Sequence, residues 1–191
     1  MYGVQQLSKQ LKQYYIDSHT NTDFYSGRCT HLHAPSIKNL IQMTKSQSLL
    51  DYGCGKGQQY FVENLHIQYF DGIMPHLYDI GIDKYNNLPE EKIDGVFSTD
   101  VLEHIPEEEL DDVFSEMYSL ANKFVYHGIC TIPANTFLPN GENAHVTLHK
   151  LDWWINKIKP YAKLKTLVYC YGDKVEYAYL ENNQITFKKG R

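Results

Sequence analysis

Two acids and a histidine stand close together in the middle of the sequence, as Asp100-x-x-Glu103-His104. Spacings of three and four residues place these side chains on one face of a helix or turn. Two carboxylates and an imidazole suit a hard divalent cation such as Mg²⁺ or Mn²⁺. If no metal binds, His104 is a candidate general base, because imidazole titrates near neutral pH. The residues alone leave both alternatives open.

A glycine-rich segment, residues 49–57, lies upstream of Asp100. In LLDYGCGKG (residues 49–57) a short apolar run is followed by glycines at positions 53, 55 and 57. Gly53 and Gly55 let the backbone turn sharply and approach a ligand closely, and Gly57 lets a following helix pack tightly. Asp51 lies two residues before the first glycine. The spacing is neither the dinucleotide fingerprint G-x-G-x-x-G nor a phosphate-binding loop, which needs Lys-Ser or Lys-Thr.

This segment resembles motif I of the class I S-adenosylmethionine-dependent methyltransferases. The stretch DGVFSTDVLEHI (residues 94–105) is similar to the fourth strand of that family and the turn after it. The resemblance covers roughly residues 47–130 and implies a Rossmann-like, mostly parallel sheet with helices on both faces. It also implies that the glycine loop holds the cofactor and that the acid ending the second strand binds its ribose hydroxyls. The implied S-adenosylmethionine-binding residues are Asp51, Gly53, Cys54, Gly55, Gly57, Asp79 and Asp100.

One part of the chain is shorter than the family pattern. Pro89 follows Asp79 by only ten positions, where the family usually has a helix and a further strand that carries adenine contacts. Asp83 and Tyr85 are adenine candidates by position alone.

The acid-x-x-Glu-His segment is also similar to the E-x-x-E-H motif of small-RNA 2′-O-methyltransferases and ubiquinone-pathway O-methyltransferases, where a metal grips vicinal hydroxyls. That resemblance implies a fourth ligand from His145, which precedes a Trp-containing helix. The implied metal ligands are therefore Asp100, Glu103, His104 and His145, with Asp100 shorter than the usual Glu. In metal-free members a similar stretch caps a helix. The candidate catalytic residues in either case are Glu103, His104 and His145.

The segment 131–145 is rich in Pro, Gly and Asn and follows the predicted fifth strand of the family pattern. Loops beyond the carboxyl ends of parallel strands line the ligand crevice, so this is the predicted substrate loop. Asn143 and His145 are its predicted polar contacts, and Tyr14 is a further acceptor-binding candidate from the N-terminal segment. An ordinary surface connection is the alternative interpretation.

Two other histidine patterns are weak metal candidates. His145 and His149 are separated by a segment typical of extended chain, which would hold their Cα atoms about 13 Å apart. The alternating Cys29, His31 and His33 indicate a loop folded over the cofactor pocket more than a zinc site.

The elements that must position these groups follow from hydrophobic periodicity. Strands are predicted at 49–52, 76–79, 95–98, 124–129, 167–171, 175–180 and 185–187, the last three as an antiparallel meander. Helices are predicted from Val4 to Tyr14 or Tyr15, after Pro35-Ser36, around 58–65, over 106–121 and from Leu151, with a loop over 18–34. One domain spans 1–191, with an N-terminal helical cap (1–46) and a Rossmann-like core (47–191).

Composition narrows the classes of function. The 18 Lys and Arg against 23 Asp and Glu give a net charge of −5, so the chain lacks the diffuse positive field of most polyanion binders. Four scattered cysteines without a CxxC pair favour a reducing compartment. No apolar run approaches the roughly 20 residues of a membrane span, and the N-terminus has no secretory apolar region. A cytoplasmic location is expected.

The sequence therefore predicts a methyltransferase that acts on a hydroxyl of a small polar acceptor. The absence of Asn/Asp-Pro-Pro-Tyr after the fourth strand disfavours DNA amino-methylation, and the absence of a Pro-Cys dipeptide disfavours cytosine-C5 chemistry. Two alternatives remain: an RNA ribose-type methyltransferase, and a non-catalytic S-adenosylmethionine-binding module. The oligomeric state is not predicted.

Overall fold

The computed structural model describes residues 26–138 and 141–190, together with Gln13, Ile16 and Asp17. The strands are β1 (Leu49–Tyr52), β2 (His76–Tyr78), β3 (Ile93–Thr99), β4 (Ala121–Cys130), β5 (Lys165–Tyr171), β6 (Glu176–Glu181) and β7 (Gln184–Gly190). The helices are α1 (Thr30–Thr44), α2 (Gln58–Phe61), α3 (Leu65–Tyr69), α4 (Leu110–Leu120) and α5 (Leu151–Ile158). Single 3₁₀ turns cover Asp83–Tyr85 and Leu102–His104.

These strands form one seven-stranded sheet in the order β2-β1-β3-β4-β5-β6-β7. The pairs from β2 to β5 are parallel, whereas β5-β6 and β6-β7 are antiparallel. The predicted Rossmann-like, mostly parallel sheet with a C-terminal antiparallel hairpin is confirmed. From β1 the chain first moves outward to β2 and then returns to the other side of β1 as β3. Sheets of this kind bind ligands at such a reversal, outside the carboxyl ends of the strands.

Both faces of the sheet are covered, because successive strand residues alternate between two hydrophobic clusters. On one face, Phe97 and Phe124 pack with α1, which contributes Ile37 and Leu40. The other face holds the buried stripes of α4 and α5. Its members include Leu50, Val96, Val113, Phe114, Val125, Trp154, Ile155 and Val168. Helix α1 is therefore a covering layer of the sheet and belongs to the core.

Helix α1 starts earlier than predicted, and the loop expected to extend to residue 34 is wrong in its last five positions. The helix begins at Thr30, so Pro35 lies inside it. The backbone N–H of Thr30 donates to the side chain of Gln59, and its hydroxyl bonds Thr99 at 2.9 Å. These long-range contacts satisfy groups at a helix start, which no local pattern reveals.

Two further boundaries differ from the prediction. Residues 106–109 form a turn closed by the Glu109 N–H to the Pro106 carbonyl (2.9 Å), and α4 starts only at Leu110. The predicted helix over 58–65 is two short helices, because Asn64 between them is left-handed (φ 53°). The predicted N-terminal helix, built on Val4, Leu7, Leu11 and Tyr14 or Tyr15, lies outside the described residues.

Within the described part of the chain, no helix combines the length and the apolar character needed to cross a membrane.

Candidate active site

The glycine loop (residues 53–57) follows β1, at the point where the strand order of the sheet reverses. Gly53, Gly55 and Gly57 all have positive φ, at 84°, 55° and 65°. A Cβ on Gly53 would lie 2.4 Å from Cγ2 of Val101, which belongs to the segment after β3. The loop therefore requires glycine both for its backbone conformation and for the closeness of the neighbouring strand.

Asp51 lies beneath this loop with its carboxylate buried. Oδ2 accepts hydrogen bonds from the Gln59 amide (3.0 Å) and the Tyr60 hydroxyl (2.7 Å). Oδ1 is buried and makes no hydrogen bond to any described residue. Burial raises the pKa of Asp51 to about 7. Cys54 is buried too, and its thiol donates to the Gly55 carbonyl, so this side chain fills space under the loop.

Asp79, directly after β2, is joined to the glycine loop. Its Oδ2 accepts from the Gly55 N–H and its Oδ1 from the Gly81 N–H, both at 2.9 Å. The N–H groups of Gly53 and Cys54 donate to the carbonyl that precedes Asp79. Asp83 and Tyr85 form the next 3₁₀ turn, and the Tyr85 carbonyl accepts from the Asp79 N–H at 3.0 Å. The structure thus gathers the predicted cofactor-binding residues from β1 and β2 into one crevice wall.

The segment 26–29 packs on the outside of the glycine loop. The N–H groups of Gln58 and Gln59 donate to the carbonyls of Ser26 and Gly27 at 3.1 and 2.9 Å. Gly27 has φ 72°, and a Cβ there would lie 2.3 Å from the Cys54 carbonyl oxygen. This contact was not predicted as part of the site; a Ser-Gly pair before a cysteine was its only local signal.

The three residues of the Cys29-x-His31-x-His33 pattern do not converge. His31 pairs with Glu63 across the crevice rim. His33 is buried under the sheet's carboxyl edge, where Nδ1 bonds the Tyr126 hydroxyl at 2.7 Å. Burial lowers the pKa of His33 to about 4, so this imidazole is neutral at pH 7.

Asp100 directly follows β3 and precedes Val101, whose side chain packs against Gly53. Its backbone is left-handed (φ 56°) and is fixed by its N–H, which donates to the Gly128 carbonyl at 3.0 Å. Its carboxylate accepts hydrogen bonds from the Tyr171 hydroxyl and the Cys29 thiol. The pKa of the Tyr171 hydroxyl is raised, first by burial and then by the negative charge of Asp100. Asp100 therefore lies on the α1 side of the crevice.

Glu103 lies in the 3₁₀ turn that follows, and its carboxyl group interacts with that of Asp100. It is completely buried, and its Oε1 accepts from the Cys130 N–H at 2.8 Å. Its Oε2 is buried and makes no hydrogen bond to any residue that the structure describes. Burial, and secondarily the charge of Asp100, raise the pKa of Glu103 well above its usual value.

The two candidate histidines lie together beyond Glu103. The ring centroids of His104 and His145 are 4.7 Å apart, edge to face. Nδ1 of His104 lies 2.9 Å from the Ala144 carbonyl, and Nδ1 of His145 lies 2.6 Å from the Ile132 carbonyl. A carbonyl only accepts, so both Nδ1 atoms carry protons, and the lone pair of the neutral form of either ring is on Nε2. Burial, helped by His145, lowers the pKa of His104 to about 4.

The segment 131–145 lines a cavity of about 370 Å³. Its walls include His104, Cys130 and His145. Asn143 is used inside the loop, since its amide accepts from the Ala134 and His145 N–H groups and donates to the Ala134 carbonyl. The predicted contact from Tyr14 lies outside the described residues.

The four predicted metal ligands do not form one group. Among the described residues, ligand atoms from Glu103, Cys130 and His145 lie within 4.8 Å of one another, and neither Asp100 nor His104 belongs to this group. His149, the other candidate considered, pairs with Glu107 and stacks on Trp153. Mg²⁺ prefers oxygen ligands, so a set containing a thiol does not fit the predicted Mg²⁺ or Mn²⁺.

Comparison with known proteins gives no further assignment. No protein-family profile matches the chain, and no curated protein or solved structure matches it.

Proposed function

We propose that the protein is an S-adenosylmethionine-dependent methyltransferase that acts on a hydroxyl of a small polar acceptor. The observation that carries the proposal is the glycine loop at the point where the strand order reverses between β1 and β3, which is where sheets of this kind bind ligands. The three glycines of the loop have left-handed backbones, and Gly53 packs against Val101, the residue after Asp100. Beneath the loop, the buried Oδ1 of Asp51 is available to a ligand donor. These features suit a cofactor with an amino group and ribose hydroxyls.

When bound, S-adenosylmethionine supplies an electrophilic methyl group on sulfur. The chain must then align an acceptor oxygen in line with the sulfur–carbon bond and accept its proton. His104 is the candidate proton acceptor, because its Nδ1 proton is held by the Ala144 carbonyl and Nε2 is then the basic nitrogen of the ring. His145, beside it on the cavity wall, is the second candidate. The protonated imidazole would then release its proton to solvent.

The cavity favours an enzyme that takes a small acceptor. At about 370 Å³ it falls within the range of small-molecule pockets. A non-catalytic binding module would need this space filled by side chains. The net charge of −5 gives no general attraction for RNA, so the small acceptor is preferred to the RNA ribose alternative.

Isothermal titration with S-adenosylhomocysteine tests the cofactor half of the proposal. Asp79→Asn should weaken binding at least tenfold, because it removes the carboxylate that anchors Gly55 and is expected to bind the ribose. Asp71→Asn is the matched control: Asp71 is an exposed acid at a left-handed position, which asparagine also tolerates. Absence of binding to the wild-type protein, with its fold intact by circular dichroism, would refute the proposal.

A screen of small hydroxyl acceptors with labelled cofactor tests the second half. Transfer to a small acceptor, reduced by His104→Ala, is the expected result. Transfer only to RNA, with affinity that falls steeply as salt is raised, would favour the RNA alternative. Cofactor binding without transfer to either class would favour the non-catalytic module.

A further inference from the structure

Three potential metal ligands converge where the carboxyl ends of β3 and β4 meet. Glu103 lies in the 3₁₀ turn after β3, Cys130 is the last residue of β4, and His145 lies in the loop that follows. Their ligand atoms lie within 4.8 Å of one another and border the 370 Å³ cavity. In a tetrahedral zinc site, bonds of about 2.0–2.3 Å would space the ligands roughly 3.5 Å apart. To bring the ligand atoms from within 4.8 Å of one another to this spacing requires about 1 Å of movement, which the half-exposed His145 allows.

The surrounding hydrogen bonds already select one donor atom from two of these residues. The Cys130 N–H holds Oε1 of Glu103, which leaves the buried Oε2 without a described partner. The Ile132 carbonyl holds the Nδ1 proton of His145, which leaves the lone pair on Nε2. A carbonyl behind the imidazole is the usual outer-shell arrangement of metal-binding histidines. A buried carboxylate oxygen without a hydrogen bond is costly unless a cation or donor compensates it.

We propose that Glu103, Cys130 and His145 bind a zinc-type transition metal, with the fourth position open to the cavity. Thiolate and imidazole select Zn²⁺ or Co²⁺ over Mg²⁺ and Mn²⁺. Three protein ligands and one open position are the pattern of catalytic, rather than structural, zinc sites. Water, or a hydroxyl or thiol of an acceptor, would occupy that position.

The proposal departs from the sequence prediction in both the metal and its ligands. Asp100 is engaged by Tyr171 and Cys29 on the α1 side of the crevice. His104 stands beside the site as a neighbour of His145. Metal binding itself does not depend on the proposed methyl transfer; only the assignment of the open position to an acceptor rests on that function.

Co²⁺ binding to metal-free protein provides the direct test. We expect one Co²⁺ per chain with a near-ultraviolet thiolate-to-cobalt charge-transfer band and the visible bands of tetrahedral cobalt, displaced by one equivalent of Zn²⁺. Cys130→Ser should abolish the charge-transfer band. Cys29→Ser is its matched control, because Cys29 is an exposed thiol outside the three-residue cluster, and it should leave the band unchanged.

A second pair of variants keeps the test decisive if Cys130→Ser does not fold. His145→Ala removes a half-exposed side chain and should weaken Zn²⁺ binding by more than the roughly 10- to 100-fold typical of outer-shell losses. His149→Ala, four residues away, should have little effect. The proposal is wrong if the wild-type protein shows no charge-transfer band, or if Mg²⁺ displaces Co²⁺ as readily as Zn²⁺ does. S-adenosylhomocysteine titration of the same samples separates this failure from failure of the proposed function.

Discussion

The crevice is built from individual residues held in unfavourable states. Asp100 is a non-glycine residue in the left-handed region, and Asp51 and Glu103 each bury a carboxylate oxygen without a described partner. Such states cost of order 1–3 kcal/mol each and persist only where surrounding structure enforces them. Their concentration around the reversal of the sheet is the residue-level argument for a ligand site there.

Gly53→Ala is expected to destabilise the protein more than Gly72→Ala, although the two glycines have almost the same φ, 84° and 83°. A Cβ at position 53 meets Val101 at 2.4 Å, whereas a Cβ at position 72 has nothing within 4 Å. The shared left-handed strain costs about 1–2 kcal/mol, and the clash should add about 1–3 kcal/mol at position 53 only. Urea unfolding of both variants measures the difference. Equal losses in the free energy of unfolding would show that Val101 moves aside without cost.

Asp51→Asn should gain stability relative to wild type as the pH is raised from 4 to 7. The folded-state pKa of about 7 lies above the unfolded value of about 3.8, so between these values the unfolded wild-type chain ionises first and is favoured. The free energy of unfolding of the variant minus that of wild type should therefore increase by up to about 1.4 kcal/mol per pH unit. Urea unfolding at pH 4, 5, 6 and 7 measures this slope.

Asp94→Asn is the control for that experiment. Hydrogen bonds from the Gln47 N–H, Lys123 and Asn122 lower the pKa of Asp94, although partial burial opposes them. Its contribution to stability is therefore present above its unfolded pKa and is lost only as the pH falls through the folded value. The difference between this variant and wild type should be flat from pH 5 to 7. A flat Asp51→Asn profile over the same range would contradict the raised pKa.

Local sequence indicates candidate residues of the proposed sites but not the contacts between them. The glycines and Asp51 stand out because their spacing within nine residues is itself informative. Cys130 was missed as a site residue because its contact with Glu103 joins positions 27 apart and depends on which strands are neighbours. A thiol at the last position of a strand that ends in a ligand crevice was the available signal.

At the scale of elements, local sequence predicts the helices and strands whose ends are set by nearby residues, but not those whose ends are set by long-range contacts. Strand β1, helix α5 and the terminal meander lie close to where periodicity and turn residues place them. Helix α1 begins five residues before its proline because Gln59 and Thr99 bond its first residue. Pro35-Ser36 favours a helix that starts near Pro35, but the contacts of Thr30 with Gln59 and Thr99 allow helix α1 to start at Thr30.

The β6–β7 hairpin provides a test of an element built by local rules. Asn182 and Asn183 both have positive φ, 51° and 60°, as a two-residue type I′ turn requires. Oδ1 of Asn183 is buried and makes no hydrogen bond to any described residue, so its amide oxygen does not stabilise the turn. Asn183→Gly should match or exceed wild type in stability, whereas Asn183→Ala should be about 1–2 kcal/mol less stable than Asn183→Gly. Thermal unfolding of the three proteins checks this order; an alanine variant as stable as glycine would exclude a left-handed residue at this turn.

At the scale of the whole molecule, the two proposed sites lie at the same edge of the sheet but on different strands. The cofactor crevice is built on the ends of β1 and β2, through the Asp79 bond to Gly55. The metal cluster is built on the ends of β3 and β4, through the Cys130 bond to Glu103. The bonds that build the two sites join different residues, with Asp100 beside Glu103 as the link between them, so each ligand should stabilise the fold largely without the other.

S-adenosylhomocysteine and Zn²⁺ should therefore raise the free energy of unfolding additively, each by about 2.7 kcal/mol at a hundredfold excess over its dissociation constant. Asp79→Asn should lose most of the stabilisation by S-adenosylhomocysteine and keep that by Zn²⁺. Cys130→Ser should show the reverse pattern, and Asp71→Asn should keep both. Denaturant unfolding with each ligand, and with both, measures the four combinations. If either site variant lost both responses, the two crevice walls would be one cooperative unit, and Asp100, which lies between them at the end of β3, would be the residue that couples them.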